Sequence, residues 1–234
     1  MHFGGVSPIN ALNRDIIGRI EAELAAAGIE LPVYFGNRNW HPMAEDTVAQ
    51  MKADGVERAL VFPTSAWGGY SGCRQYHEDI ARARASVGDG APDMVKIRQY
   101  FDHPVMIASF ADAIEAALAA LNPAARAGAR LVFTAHSIPS AADANAGPPV
   151  DGGHLYSRQV ADASRLAAAA AGIDDYDVVW QSRSGPPQVH GSNPISATIW
   201  KSLPAPASRR WLSARSASCP TILEVVWDLD TEAE

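Results

Sequence analysis

The chain predicts an α/β fold, a largely parallel sheet flanked by helices, and two observations carry that expectation. Leu131-Val-Phe-Thr-Ala-His-Ser-Ile-Pro139 opens with a β-branched and aromatic run that reads as a buried strand. Around it, strand-like runs alternate with stretches of helical spacing along most of the chain.

The elements follow in order. Phe3 to Asn10 is a glycine-rich loop opening into a helix with no strand before it. Ala11 to Ala27 has helical spacing, with Leu12, Ile16, Ile17, Ile20 and Leu24 on one face. Leu31 to Phe35 reads as a short strand and Glu45 to Ala53 as a helix. Ala59 to Phe62 is a strand closed by Pro63. Tyr76 to Ala85 is helical, Met94 to Tyr100 is a strand, and Pro104 to Leu121 is a long alanine-rich helix. The strand from Ala129 to Phe133 delivers His136 at its C-terminal end, and Ser-Ile-Pro ends it because proline lacks a ladder N–H. Ser157 to Ala171 is helical and Val178 to Gln181 is a further strand. No internal repeat interrupts this order.

Composition narrows the function classes. A net charge of −7, a pI near 5.5 and dispersed basic residues argue against a general nucleic-acid binder. No apolar run reaches membrane-spanning length, and Met-His-Phe-Gly-Gly is not a signal peptide. Cys73 and Cys219 lie far apart and suggest no disulfide framework, so the cytoplasm is the expected compartment. No Walker-type or GxGxxG loop follows a strand, which disfavours a generic nucleotide-binding protein.

Three strand-end loops carry the chemistry. Ligands of open α/β sheets bind outside the carboxyl ends of the strands, where His136 lies. A working imidazole and a hydrogen-bonded structural one fit that position equally. Gly36-Asn-Arg-Asn-Trp-His-Pro42 combines Arg38, which can grip a carboxylate bidentately, with Trp40, which can stack on a planar ring. A plain turn leading into a helix at His41-Pro42 fits it as well. Trp67 to Cys73 reads as a flexible, small and aromatic loop suited to lining a cleft or holding a cofactor. Cys73 alone is more often an unliganded thiol. Trp180-Gln-Ser-Arg-Ser-Gly-Pro186 is a third such loop. Near the C-terminus, Glu224 and Asp228 share a face if helical, which suits either a solvated surface or the handling of a divalent cation.

Taken together these segments resemble the ferrochelatase family. Gly4-Gly-Val-Ser-Pro-Ile9, Gly36 to Pro42, Tyr70-Ser-Gly-Cys73, Phe133-Thr-Ala-His-Ser-Ile-Pro139, Trp180 to Gly185 and Leu223-Glu-Val-Val-Trp-Asp-Leu-Asp230 match family landmarks in order. The resemblance implies a chelatase-like α/β fold of two Rossmann-like domains, with a porphyrin cleft into which Fe²⁺ is delivered as substrate. It assigns His136 as the catalytic imidazole and a metal ligand, Glu224 as its acidic partner and Asp228 to the iron path. Ser7 and Arg38 match positions that contact the porphyrin or its propionates, with Trp40 beside them. Cys73 matches a ligand of the [2Fe–2S] cluster that some members carry. The motif style resembles the branch that metallates coproporphyrin III, in heme biosynthesis, as a monomer. A chelatase for another metal and tetrapyrrole would show additional histidines at the metal position. A non-catalytic tetrapyrrole-binding fragment would bind without inserting metal.

Three departures from the family follow. Members begin with a strand upstream of Gly4 and continue beyond the acidic segment into a final helix bearing the other cluster cysteines, so the chain is expected to be incomplete at both ends. Domain boundaries are expected at 1–68, in the first domain, and 69–189, in the second. Between them and the family-like 223–234 lies the third departure. His190 to Ile222 contains none of the chain's 26 acidic residues and no apolar periodicity. Read one base earlier, codons for His190 to Trp200 permit the family's Trp-Leu-x-Pro-Asp-Ile and Asp-His-Leu, and those for Ser216 to Ile222 permit Ser-Asp-His. Two compensating frameshifts bounding about 190–222 account for both. The expectation is then a lost central strand, unpaired sheet edges and an unstable or inactive polypeptide.

Overall fold

The computed structural model describes residues 8–181, Gly191 and the main chain of 211–215. The chain divides into two compact units: Met1–Thr64 with Ser71–Arg98, and Ser65–Tyr70 with Gln99–Glu234.

In the first unit, helix α1 (Ile9–Ala26) buries no residue fully, although Leu12, Ile17, Ile20 and Leu24 of the expected apolar face are half-buried. Its last turn closes through Gly28, whose φ of 69° is the left-handed conformation that glycine adopts without a Cβ clash. The expected strand at Leu31–Phe35 does not form. Pro32 offers no N–H, Leu31 is exposed, and side chains anchor the segment instead of a ladder. Tyr34 donates to Asp54 at 2.8 Å and Thr47 donates to the Phe35 carbonyl at 2.8 Å. Helix α2 (Ala44–Ala53) buries Val48 and Met51. Strands β1 (Arg58–Val61) and β2 (Asp93–Lys96) pair in parallel, with Leu60 opposite Val95. Helix α3 (Gln75–Val87) lies between them in sequence and follows a π-helical turn at Tyr70–Arg74.

The second unit is built on three parallel strands in the order β4 (Tyr176–Gln181), β3 (Arg130–His136), β5 (Trp211–Arg215). Central β3 (Arg130–His136) buries Leu131 to Ala135 without a break, as a strand covered on both faces must. Its neighbour β4 (Tyr176–Gln181) sets Ala135 opposite Trp180 and His136 opposite Gln181. Arg130 ties the two strand starts together, 2.6 Å from Asp177 and 2.9 Å from Asp175. Helices α4 (Pro104–Ala120) and α7 (Leu155–Ala170) supply the apolar cover. Ile114, Phe133, Ala167 and Ala168 form one cluster, and Trp67, Ile107, Ala135, Val160, Ala163 and Trp180 another. Short helices α5 (Pro123–Ala127) and α6 (Ser140–Ala144) flank β3 in sequence. Asn122 caps α5, accepting from the Ala125 N–H at 2.8 Å ahead of Pro123 at the first helical position.

Strand β5 (Trp211–Arg215) corrects one expectation. It lies inside the stretch without apolar periodicity, yet pairs along β3 from Arg130↔Trp211 to Thr134↔Arg215. Ladder pairing asks only for main-chain N–H and C=O groups, and residues 211–215 contain no proline. The second edge of β3 is therefore paired.

Candidate active site

His136 is the last residue of β3, half-buried above five buried residues. The ladder extends one step past it, because the Ser137 N–H donates to the Gln181 carbonyl at 2.8 Å. His136 Nδ1 lies 2.7 Å from the Ser137 carbonyl oxygen. A carbonyl only accepts, so Nδ1 carries the proton and a neutral ring keeps its basic lone pair on Nε2. The main-chain carbonyl of His136 in turn accepts from the Tyr156 hydroxyl at 2.9 Å. On the far side of Ser137, the backbone of Gly191 approaches so closely that an added Cβ would stand 2.6 Å from Ser137 Oγ. Only glycine fits there without displacing the serine.

Tyr156 comes from the first turn of α7, and that turn is fixed from outside the helix. Asp143, a buried carboxylate at the end of α6, accepts from Ser157 Oγ at 2.7 Å, from the Ser157 N–H at 3.2 Å and pairs with His154 Nδ1 at 3.0 Å. A negative charge here also favours the helix N-terminus. Burial, and then the Asp143 charge, push the Tyr156 phenol well above its ordinary value, so it is a neutral donor. Its ring packs on Trp180 at 5.7 Å and on Trp67 at 6.3 Å between ring centres.

Those two tryptophans correct the sequence reading of their segments. Trp180 is a buried residue of β4 rather than part of an open strand-end loop, and residues 182–186 of that loop lie outside the described residues. Trp67 is likewise buried in the core, and its neighbour Gly68 donates its N–H to Gln159 of α7 at 2.5 Å. A Cβ on Gly68 would stand 2.4 Å from Leu155 Cδ2, so the segment is clamped against α7 and is not a flexible loop.

The first unit holds the other described candidates. Arg38 Nε lies 2.5 Å from Asp79 Oδ2, and Nη1 donates to Gln75 at 3.0 Å. The guanidinium stands 4.9 Å above the Tyr76 ring, a cation–π distance. Asp79 also holds Arg82 at 2.8 Å, and Arg82 reaches Glu45 at 2.6 Å. That hydrogen bond from Arg82 holds the Glu45 carboxyl below its ordinary value. Two of the three Arg38 nitrogens are thus engaged inside the protein; Nη2 is buried with no partner among the described residues. Trp40 is 69% exposed and makes a T-shaped contact with His41 at 6.3 Å between ring centres. Cys73 sits half-buried on the π-helical turn.

Ser7, Glu224 and Asp228 lie outside the described residues. Among the described residues no three His, Cys, Asp or Glu side chains converge as a metal site. A [2Fe–2S] cluster takes four ligands where these residues offer Cys73 alone, so the described part of the chain does not hold one by itself. Sequence reasoning missed Tyr156, Asp143 and Gln159. Asp79 carried no local signal either, being 41 residues from the arginine it holds.

Comparison with known proteins covers the whole chain. The family model described as Ferrochelatase matches residues 1–234. A coproporphyrin III ferrochelatase of Nocardia farcinica is 65% identical over 234 residues, which is 100% of this chain and 66% of the relative. Proteins of the same name from Mycobacteroides abscessus and Mycolicibacterium smegmatis are 58% and 56% identical, each over 99% of this chain and 66% and 67% of the relative. The chain spans about two thirds of the length of these relatives.

Proposed function

The chain belongs to the ferrochelatase family, and on that premise we propose that it inserts Fe²⁺ into coproporphyrin III, in preference to protoporphyrin IX, as a lyase-type step of heme biosynthesis. The observation that carries this reading is His136, at the carboxyl end of a buried central strand with Nδ1 committed to the Ser137 carbonyl. Insertion replaces the water ligands of Fe²⁺ by four pyrrole nitrogens and releases two pyrrole protons. The Nε2 lone pair of His136 takes up one of those protons or ligates the arriving iron. Glu224 is the acidic partner that relays charge and Asp228 lies on the iron path. Ser7, Arg38 and Trp40 contact the porphyrin, the tryptophan through its exposed ring. Cys73 is a cluster ligand only in a longer chain that brings three further ligands. The protein acts as a monomer in the cytoplasm; among the described residues no helix is long and apolar enough to cross a membrane.

Residues 190–222 belong to the same reading. We propose that they are out of frame with the rest of the gene and that the parent gene encodes the family's Asp-His-Leu and Ser-Asp-His segments there. Resequencing that returns this frame intact, with no insertions or deletions relative to close relatives, contradicts it.

The function is tested by anaerobic Fe²⁺ insertion followed by absorbance, with coproporphyrin III and protoporphyrin IX as rival substrates, for the chain as written beside a frame-restored, end-completed version. Faster insertion into coproporphyrin III by the restored version supports the proposal. Insertion by neither version, with Soret-band shifts that report binding alone, points to a non-catalytic tetrapyrrole-binding protein.

A further inference from the structure

We propose that Tyr156 is a positioning residue for His136: it fixes the strand end that aims the imidazole, and Asp143 fixes Tyr156. The proposal rests on the reading of His136 given above and deepens it.

The hold acts at the end of β3. The register to β4 runs to His136↔Gln181, and beyond it Pro139, which has no N–H, is bridged to Gly191. The His136 carbonyl accepts the Tyr156 hydroxyl at 2.9 Å. That carbonyl belongs to the same peptide unit as the Ser137 N–H, which is bound to Gln181 at 2.8 Å. One peptide plane is thus gripped from opposite sides, by β4 and by α7. Rotation of that plane would swing the Ser137 carbonyl, the acceptor that orients the imidazole through Nδ1. Tyr156 therefore acts on the ring through two consecutive backbone groups without touching it.

The phenol itself has little freedom. Its ring is packed on Trp180 of β4 and on Trp67, which closes the core. Three contacts from Asp143 anchor the helix turn that carries it, and Asp143 sits only seven positions beyond His136 on the same chain segment. The loop after the strand thus braces the helix that braces the strand. A buried phenol needs an acceptor whatever its role, and here the acceptor is the carbonyl of the residue that carries the imidazole.

The test uses the frame-restored, end-completed protein, labelled with ¹⁵N-histidine, with His136→Ala to assign the imidazole signals. Tyr156→Phe keeps the ring and removes only the hydroxyl. The expected result is a shifted or broadened His136 imidazole signal and a roughly tenfold lower kcat for iron insertion, with KM for the porphyrin within about twofold. That is less than the roughly hundredfold cost of a 1 Å misplacement. Asp143→Asn, which weakens the anchor and leaves the phenol in place, moves the same signal by less and serves if the first variant fails to fold. Unchanged His136 signals and kcat in both variants, even with a lowered melting temperature, overturn the proposal. If the parent protein inserts no iron while Tyr156→Phe still shifts the His136 signal, the positioning contact stands and the assigned reaction fails.

Discussion

Arg38 and Asp79 lie 41 residues apart in sequence and meet at 2.5 Å between Nε and Oδ2, with the carboxylate almost buried. The pair fastens the Gly36–Pro42 segment to α3, and Asp79 extends it to Arg82 and Glu45. The segment proposed to meet the porphyrin is therefore stiffened by a charge network as well as by the Asn37–Met43 bridge that closes its turn.

Replacing Asp79 by Asn removes the charge that two guanidinium groups share. Leaving them under-compensated in a partly buried site costs about 1–3 kcal/mol. Urea unfolding should show that loss as a lower midpoint at unchanged slope. A midpoint equal to that of the parent protein contradicts a structural role for the network.

The same network makes a prediction for acid. Glu45 is held below its ordinary value of 4.5, chiefly by the Arg82 hydrogen bond. Its folded pKa is lower than its unfolded one, so its contribution is complete above about pH 4.5 and is lost as pH falls through the folded value. Glu45→Gln should be less stable near neutrality and show a shallower fall in melting temperature below pH 4.5. Parallel curves for the two proteins would contradict the assignment.

Alkali tests the opposite sign at Tyr156. Burial and the Asp143 charge raise its pKa above the ordinary 10.0, so the folded state holds a proton that the unfolded state releases. The associated stability is complete below about pH 10 and declines as pH rises toward the folded value. Tyr156→Phe should lack that share of the alkaline decline in melting temperature, and an unaltered decline would contradict the burial of the phenol.

How far the sequence was legible depends on how local each cause is. Strand β3 was readable because its signal is contiguous: five buried residues, then a proline that ends the ladder. His136 followed directly. Leu31–Phe35 carried the same local composition, but no partner ladder reaches it, and pairing is a property of the neighbour. Helix α7 begins at Leu155, two residues before the expected Ser157, because its cap is Asp143 rather than a residue of its own first turn. Tyr156 was invisible for a related reason. Its partner is a main-chain carbonyl 20 residues away, and a backbone acceptor leaves no mark on side-chain pattern. Strand β5 was equally illegible, since its ladder to β3 is made by main-chain groups.

Iron insertion by His136→Ala tests the central claim most directly, with the frame-restored, end-completed protein as reference and anaerobic Fe²⁺ and coproporphyrin III as substrates. The variant should still bind the porphyrin, seen as the Soret shift, while insertion falls by about two orders of magnitude or more, as expected when a positioned proton acceptor is lost. Insertion at the parent rate would contradict the assignment of His136 as the working imidazole.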